Sequence, residues 1–343
     1  MKASFASEFI FVLAWLHIGK LWYYDAMKGK FLLAPMSELS HRALRELIED
    51  FGACDEYFSE MISAGALLGG GPFEAWYTDP LPRPEKLVYQ LEGSDQDRII
   101  RAAALLDRRD CAGIDINMGC AAPAIRRTGA GAAWMVSIDR AGELMAGLRK
   151  AVKKRLSVKL RIGFEEDFDY LLRFCRRLEE AGTELITLHP RTAREKFRRN
   201  ARWDYTVRLR QELKIPVAGN GDIHDAEALR RRSAAGECDA LMVGRGAVRA
   251  PWIFAQARAL EAGKTPPPFN REETALRFLD LVSRYQPPEF HLSRARRFFA
   301  YYCDSLTWAH HVKTLLGRET ELSGMARILA AYFREHPEER HRL

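Results

Sequence analysis

A thiol, an ammonium group and an imidazole stand at or near the ends of short apolar runs in this 343-residue chain: Cys120 just past residues 113–117, Lys159 within 157–161, and His189 closing 184–189. Groups of these types can hold an anion or pass a proton. Other runs end on Pro35-Met36-Ser37, Glu60, Gln90, Asn117, Arg161, Asn220-Gly221-Asp222 and Gly244-Arg245. Taken singly, each has a plainer reading: Gln90 as a satisfied polar residue, His189 as a core histidine, Lys159 as a side chain with a buried stem and a wet tip. Together they call for compensation, because burying a lysine and a histidine at apolar strand ends is costly unless acidic or hydrogen-bonding groups meet them. A bound anionic cofactor would do so. The clusters at residues 220–222 and 244–246 contain glycines, which let a main chain approach a phosphate closely, and Arg245 adds a charge-assisted partner. Thr128-Gly129-Ala130-Gly131 also has the composition of a phosphate loop, but it lies well past its run and reads first as a tight turn into the next helix.

The elements that must position these groups can be read from hydrophobic pattern. Eight short apolar, β-branched runs recur at residues 31–34, 56–60, 87–91, 113–117, 157–161, 184–189, 215–219 and 239–243. Several lack polar alternation, as in Leu185-Ile186-Thr187-Leu188, which predicts strands buried on both faces. Helical stretches lie between them, with Ser40, Ser94 and Asp225 placed to cap helices over 41–50, 95–107 and 226–233. Eight βα units in about 230 residues predict an α/β fold, a (β/α)8 TIM barrel of residues 30–262, with an open doubly wound sheet as the alternative. In a barrel the residues just past the strands' carboxyl ends meet at one mouth. Gly263-Lys264-Thr265-Pro266-Pro267-Pro268 can continue neither helix nor ladder, so residues 263–269 read as a linker. Residues 270–343 show helical periodicity and predict a small C-terminal helical domain.

The composition, 47% hydrophobic and 29% charged, is that of a globular protein. The net charge of +7 favours an acidic partner without requiring one. The six cysteines are scattered, with no Cys-x-x-Cys pair, which argues against a disulfide scaffold or a zinc site and for a reducing, cytoplasmic setting. Residues 9–18 are apolar after Lys2 but too short to span a bilayer and followed by no clear cleavage site. Residues 1–29 therefore read as an N-terminal extension, dispensable up to about Met27, and no membrane contact is expected.

The segment Gly113-Ile114-Asp115-Ile116-Asn117-Met118-Gly119-Cys120 resembles the signature of the tRNA-dihydrouridine synthase family, FMN-dependent barrels with a helical C-terminal domain. Further matches follow in order: Ala34-Pro35-Met36, Gln90-Leu91-Glu92-Gly93, Gly129-Ala130-Gly131-Ala132, Val158-Lys159-Leu160-Arg161, His189-Pro190-Arg191-Thr192, Asn220-Gly221-Asp222-Ile223 and Val243-Gly244-Arg245-Gly246. The resemblance implies that Pro35, Met36 and Ser37 line the flavin, that Gln90 hydrogen-bonds its ring system, and that Lys159 and His189 sit beside the isoalloxazine. It implies that Asn220, Gly221, Asp222, Gly244 and Arg245 hold the ribityl chain and phosphate. Cys120 would be the catalytic acid, and Asn117, Arg161 and Arg191 would orient the uracil. The family usually has proline directly after this cysteine, whereas here Ala121-Ala122-Pro123 follows, a departure that bears on loop shape and substrate preference.

The implied reaction reduces the uracil 5,6 double bond with hydride at C6 and a proton at C5. NADPH or NADH would reduce the FMN, and an ordinary thiol, mostly protonated near neutrality, can serve as the acid. A stacked uridine cannot enter a barrel mouth, so the target must be flipped out or unpaired. The basic stretch 191–199 and Arg294, Arg296 and Arg297, interleaved with aromatics, would hold tRNA phosphates, although the same charges could form a solvated face. No metal is implied. Two rivals stand beside this reading: an FMN-dependent barrel acting on a small molecule, like dihydroorotate dehydrogenase, and an RNA-binding module without activity.

Overall fold

The computed structural model describes residues 27–341. Eight parallel strands close into a barrel in chain order: β1 (Lys30–Leu33), β2 (Glu56–Ser63), β3 (Leu87–Glu92), β4 (Gly113–Met118), β5 (Arg155–Arg161), β6 (Leu185–His189), β7 (Val217–Asn220) and β8 (Ala240–Val243). The ladder between β8 and β1, from Lys30 opposite Ala240 to Leu33 opposite Val243, completes the cylinder and excludes the open sheet.

Strand alternation divides the apolar residues between two cores. Leu32, Phe58, Val88, Leu185, Ala218 and Met242 fill the barrel interior. Their neighbours, such as Leu33, Tyr57, Tyr89, Ile186 and Leu188, pack outward against the helices. At the amino-terminal end of the barrel Arg155 pairs with Glu56, which also holds Lys30, and Met27 is buried beside them. Met27, read from sequence as the end of an extension, is thus packed against the barrel, with Lys28 and Gly29 exposed after it, whereas residues 1–26 of that expected extension lie outside the described residues.

The barrel helices are α1 (Arg42–Phe51), α2 (Ala64–Gly69), α3 (Glu74–Tyr77), α4 (Gln96–Asp107), α5 (Pro123–Arg127), α6 (Ile138–Ala151), α7 (Phe168–Glu180), α8 (Trp203–Glu212), α9 (Ala226–Ala235), α10 (Arg245–Arg249) and α11 (Ile253–Glu261). Asp225 caps α9 as expected, accepting from Ala228 N. Two other caps differ from the sequence reading. Ser40 turns back to bond both the N–H and the carbonyl of Met36, leaving His41 at the N-cap of α1 with no side-chain bond. At α4 the cap is Asp95, one residue past Ser94, because its carboxylate reaches Arg98 N. Thr128-Gly129-Ala130-Gly131 is the tight turn it was expected to be, leading into a 3-10 segment, Gly131–Val136.

Past the proline-rich segment come α12 (Arg271–Tyr285), α13 (His291–Tyr302), α14 (Ala309–Arg318) and α15 (Leu322–Glu335), with no strand among the described residues there. Most of the aromatic run on α13 serves packing: Phe298, Phe299 and Tyr302 are buried, and Phe298 stacks on Phe278 of α12 with centroids 3.6 Å apart. A well-placed aromatic pair contributes about 1 kcal/mol beyond its area. Arg294, expected at a phosphate, is likewise buried, in an ion pair with Glu60 of β2. The helical layer is therefore joined to the barrel by a charged contact as well as by apolar packing.

Candidate active site

A cavity of about 630 Å³ opens at the carboxyl ends of the strands. Pro35, Met36, Ser37, Asn117, Cys120, Lys159, Arg161, His189, Arg191, Asn220, Gly221, Asp222, Gly244 and Arg245 all line it. The fold thus brings together nearly everything nominated from sequence. Gln90 is the exception: its side chain is fully buried beneath the cavity floor, because both ends of its amide are already engaged by Asp115 and Asn117. In this position its amide supports Asn117 and Asp115. Glu60 also stays out of the cavity, held by Arg294.

The loop that carries Cys120 is pinned along its length. The Asn117 side-chain oxygen accepts from Gly119 N at 3.2 Å and Cys120 N at 2.9 Å. The Cys120 carbonyl accepts from Ala132 N at 3.0 Å. Arg161 Nε donates to Gly119 O at 3.0 Å, while its Nη1 bonds the carbonyls of Thr192 and Lys196. Gly131 is needed where the chain returns, since it has φ +59° and a Cβ there would fall 2.7 Å from Cys120 O. Pro123 sits in the first turn of α5, where it lacks only an N–H that no helix bond would use. The departure Ala121-Ala122-Pro123 therefore moves the proline to a helix start without loosening the cysteine.

The cavity wall beside this loop is cationic. Lys159 makes no hydrogen bond or ion pair among the described residues, and burial followed by the charge of Arg161 pulls its pKa down to about 8. Burial and Arg191 lower Arg161 to about 10, so both remain charged at neutral pH. Arg191 donates through Nη2 to both oxygens of Asp222, at 2.7 and 2.8 Å, and through Nη1 to His189 Nε2 at 3.0 Å. A guanidinium can only donate, so His189 Nε2 accepts and the ring proton sits on Nδ1. Burial, together with Lys159, Arg161, Arg191 and Arg245, holds His189 well below the ordinary imidazole value, and it is neutral at pH 7. Burial alone would raise Asp222, but Ala201 N–H and Arg191 outweigh it and leave the carboxyl lowered. Arg245 stacks over Phe197, 4.4 Å from the ring centroid, with no carboxylate partner among the described residues. Gly246 lets the loops after β7 and β8 touch, since a Cβ there would collide with the carbonyl oxygen of Ile223.

Arg297, nominated for tRNA phosphates, and its neighbour Tyr301 bring α13 into the cavity wall, and Phe197, which is exposed, stands there with Lys196 of the basic stretch. Two buried residues were missed. Asp115 and Ser157, directly opposite each other on β4 and β5, form a buried polar layer with Gln90. The acid inside the apolar run Ile114-Asp115-Ile116 was the available signal for that layer.

A family model described as dihydrouridine synthase matches residues 32–339. The chain belongs to the dihydrouridine synthase family. The match runs through the barrel and the C-terminal helices alike, so the two parts recur together in dihydrouridine synthases. Among named members, a probable tRNA-dihydrouridine synthase of Aquifex aeolicus is 32% identical over 272 residues, covering 76% of this chain and 83% of that protein. One from Rhodobacter capsulatus is 33% identical over 259 residues, with 74% and 78% covered. A tRNA-dihydrouridine(16) synthase of Cupriavidus necator is 31% identical over 243 residues, with 68% and 75% covered. A solved complex of 2-naphthoyl-CoA reductase shares the barrel fold alone, with a TM-score of 0.51 and 12% identity over 68% of this chain. The chain spans about half the length of that reductase, 50%. Among the described residues there is no His, Cys, Asp and Glu grouping suited to a metal, and no helix is long and apolar enough to cross a membrane.

Proposed function

We propose that this chain is a tRNA-dihydrouridine synthase that uses FMN and NADPH, or NADH, with Cys120 as the proton donor. The observation that carries the reading is a cysteine on a pinned loop and the ammonium of Lys159, without a hydrogen bond or ion pair among the described residues, lining one cavity at a barrel mouth. The cavity fits a flavin mononucleotide in size, within the roughly 300–1,000 Å³ of small-molecule sites, and in chemistry. Lys159 and neutral His189 would sit beside the ring system, with Pro35, Met36 and Ser37 along it. Asn220, Gly221, Asp222, Gly244 and Arg245 would hold the ribityl chain and phosphate, where barrels often bind phosphate after strands seven and eight.

When bound and reduced, FMN would supply the hydride for C6 of the uracil. Cys120 gives its Sγ proton to C5, so that hydride and proton together saturate the double bond. Asn117 keeps one Nδ2 hydrogen uncommitted, and Arg161 Nη2 has no hydrogen bond among the described residues, which leaves both for uracil carbonyls. Arg191 acts one step back, fixing His189 and Asp222. A uridine lifted out of its stack would enter past Phe197 and Tyr301. The C-terminal helices and the basic surface would hold the body of the tRNA.

The test is to incubate the yellow protein with unmodified tRNA and NADPH and to map dihydrouridine. Cys120→Ala is expected to keep its flavin and lose about 10²–10⁴-fold in turnover, the usual contribution of a positioned acid. Equal turnover in the variant would remove the assigned acid, and reduction of a free pyrimidine without tRNA would favour a small-molecule enzyme.

A further inference from the structure

Beneath the cavity floor lies a chain of hydrogen bonds whose donors all point one way. Gly119 N and Cys120 N donate to Asn117 Oδ1 at 3.2 and 2.9 Å. Asn117 Nδ2 donates to Gln90 Oε1 at 2.8 Å, and Gln90 Nε2 donates to Asp115 Oδ2 at 2.7 Å. The other Asp115 oxygen takes the hydroxyl of Ser157 at 2.6 Å, and Gln90 is fixed further by its own N–H on Ser59 Oγ at 3.0 Å. Gln90, Asp115 and Ser157 have no exposed surface, and Asn117 is 6% exposed.

Both ends of this chain are chemically irreversible. A backbone N–H can only donate, and an ionised carboxylate can only accept. The two amides between them could each flip if considered alone, but one acceptor-only terminus and one donor-only terminus leave a single consistent orientation for both. Asp115 has no direct ion-pair partner among the described residues, so its charge is held by these bonds. A buried carboxylate kept at such cost, when an apolar residue could fill a barrel interior, calls for a task.

We propose that Asp115 and Gln90 are positioning residues for Cys120: they set the orientation of the Asn117 amide, and through it the backbone that aims the thiol into the cavity. The inference rests on Cys120 being the acid, and it gives Gln90 a part in holding the thiol loop. It also accounts for the floor being polar where the rest of the interior is packed with Leu32, Phe58 and Val88.

The experiment uses the full flavin-loaded protein and two readouts, turnover on tRNA and the rate at which iodoacetamide alkylates Cys120 in the protein without tRNA. Gln90→Glu sets a second carboxylate against Asp115 and breaks the chain. Misplacing a reacting group by about 1 Å typically costs about 10²-fold, so turnover is expected to fall by that order, with a KM for tRNA changed less than about threefold. The alkylation rate should shift with it. Adding Asp115→Asn restores the polarity, because the amide introduced by that substitution can donate to a carboxylate at position 90, which still accepts from Asn117. The double variant is expected to recover both readouts. Recovery of both with unchanged flavin content supports the chain, including when Gln90→Glu alone fails to fold. Unchanged turnover and alkylation in Gln90→Glu, or a double variant no better than the single, overturns it. Alkylation does not depend on catalysis, so a failure of the proposed activity shows in Cys120→Ala and leaves this test standing.

Discussion

Lys159 carries the cleanest consequence at the scale of a single residue. Its ammonium lines a cavity without a direct ion-pair partner among the described residues, and its pKa of about 8 lies below the roughly 10.4 of an unfolded lysine. Between those values the unfolded chain binds more protons than the folded one, so in the flavin-free protein the Lys159 contribution makes stability rise as pH climbs from 8 toward 10. A bound electron-rich ring reverses the preference by favouring the charged amine. FMN affinity of the apoprotein should therefore weaken as pH passes through about 8, and Lys159→Met should lower affinity at pH 7 and flatten the profile up to pH 9.5. Equilibrium flavin titration at several pH values measures this. An identical profile in the variant would place the ammonium away from the cofactor. His189 does not complicate the range, because the cations around it and its burial keep it neutral throughout.

At the scale of elements, the loop after β1 and helix α13 are tied by one buried carboxylate. Glu60 pairs with Arg294 of α13 and also accepts from Glu38 N, whose residue is held at φ +65°. That loop supplies Pro35, Met36 and Ser37 to the cavity, and Arg297 on the next turn of α13 approaches Glu38 at 3.8 Å. Arg294→Met would leave Glu60 buried without its cation, a loss of about 3–5 kcal/mol, and should release flavin as the loop relaxes. Adding Glu60→Gln should return part of the stability. Chemical denaturation and flavin release rates check both, and a stable Arg294→Met protein with wild-type flavin retention would refute the link. The same elements show what sequence could reveal. Strands and their ends were legible because burial on both faces leaves an apolar, β-branched run that stops at a polar residue, as at Leu185-Ile186-Thr187-Leu188-His189. Arg294 was misread because its partner lies 234 positions away, and adjacent aromatics on a helix look alike whether they face RNA or a neighbouring helix. Ser94 was misplaced as a cap because Asp95, one residue on, competes for the same free N–H groups, and Ser40 because its hydroxyl bonds the backbone of Met36 instead. Gln90 was picked out as a strand-end group, but β3 runs on to Glu92, and the tie of its side chain to Asp115 across the strand pair was not legible from either run alone.

The whole molecule carries seven more basic than acidic side chains, and where that excess is left unpaired matters more than its size. Many surface arginines are neutralised locally, as Arg176 is by Glu212 and Arg202 by Glu166 and Glu195. Arg127, at the end of the short helix after the cysteine loop, and Arg198, beside Phe197 of the cavity rim, are exposed and have no ion-pair partner among the described residues. Each can displace a counterion from a phosphate, whereas a paired arginine must first leave its carboxylate. Arg127→Gln and Arg198→Gln should therefore each weaken tRNA binding and reduce the slope of log K against log salt by about 1, without altering flavin content. Arg176→Gln, which removes a charge already answered by Glu212, should leave the slope unchanged. Filter binding across a salt series distinguishes these cases. If all three variants shifted the slope equally, attraction would arise from net charge spread over the surface. If neither rim variant shifted it, the tRNA would approach the cavity by another face.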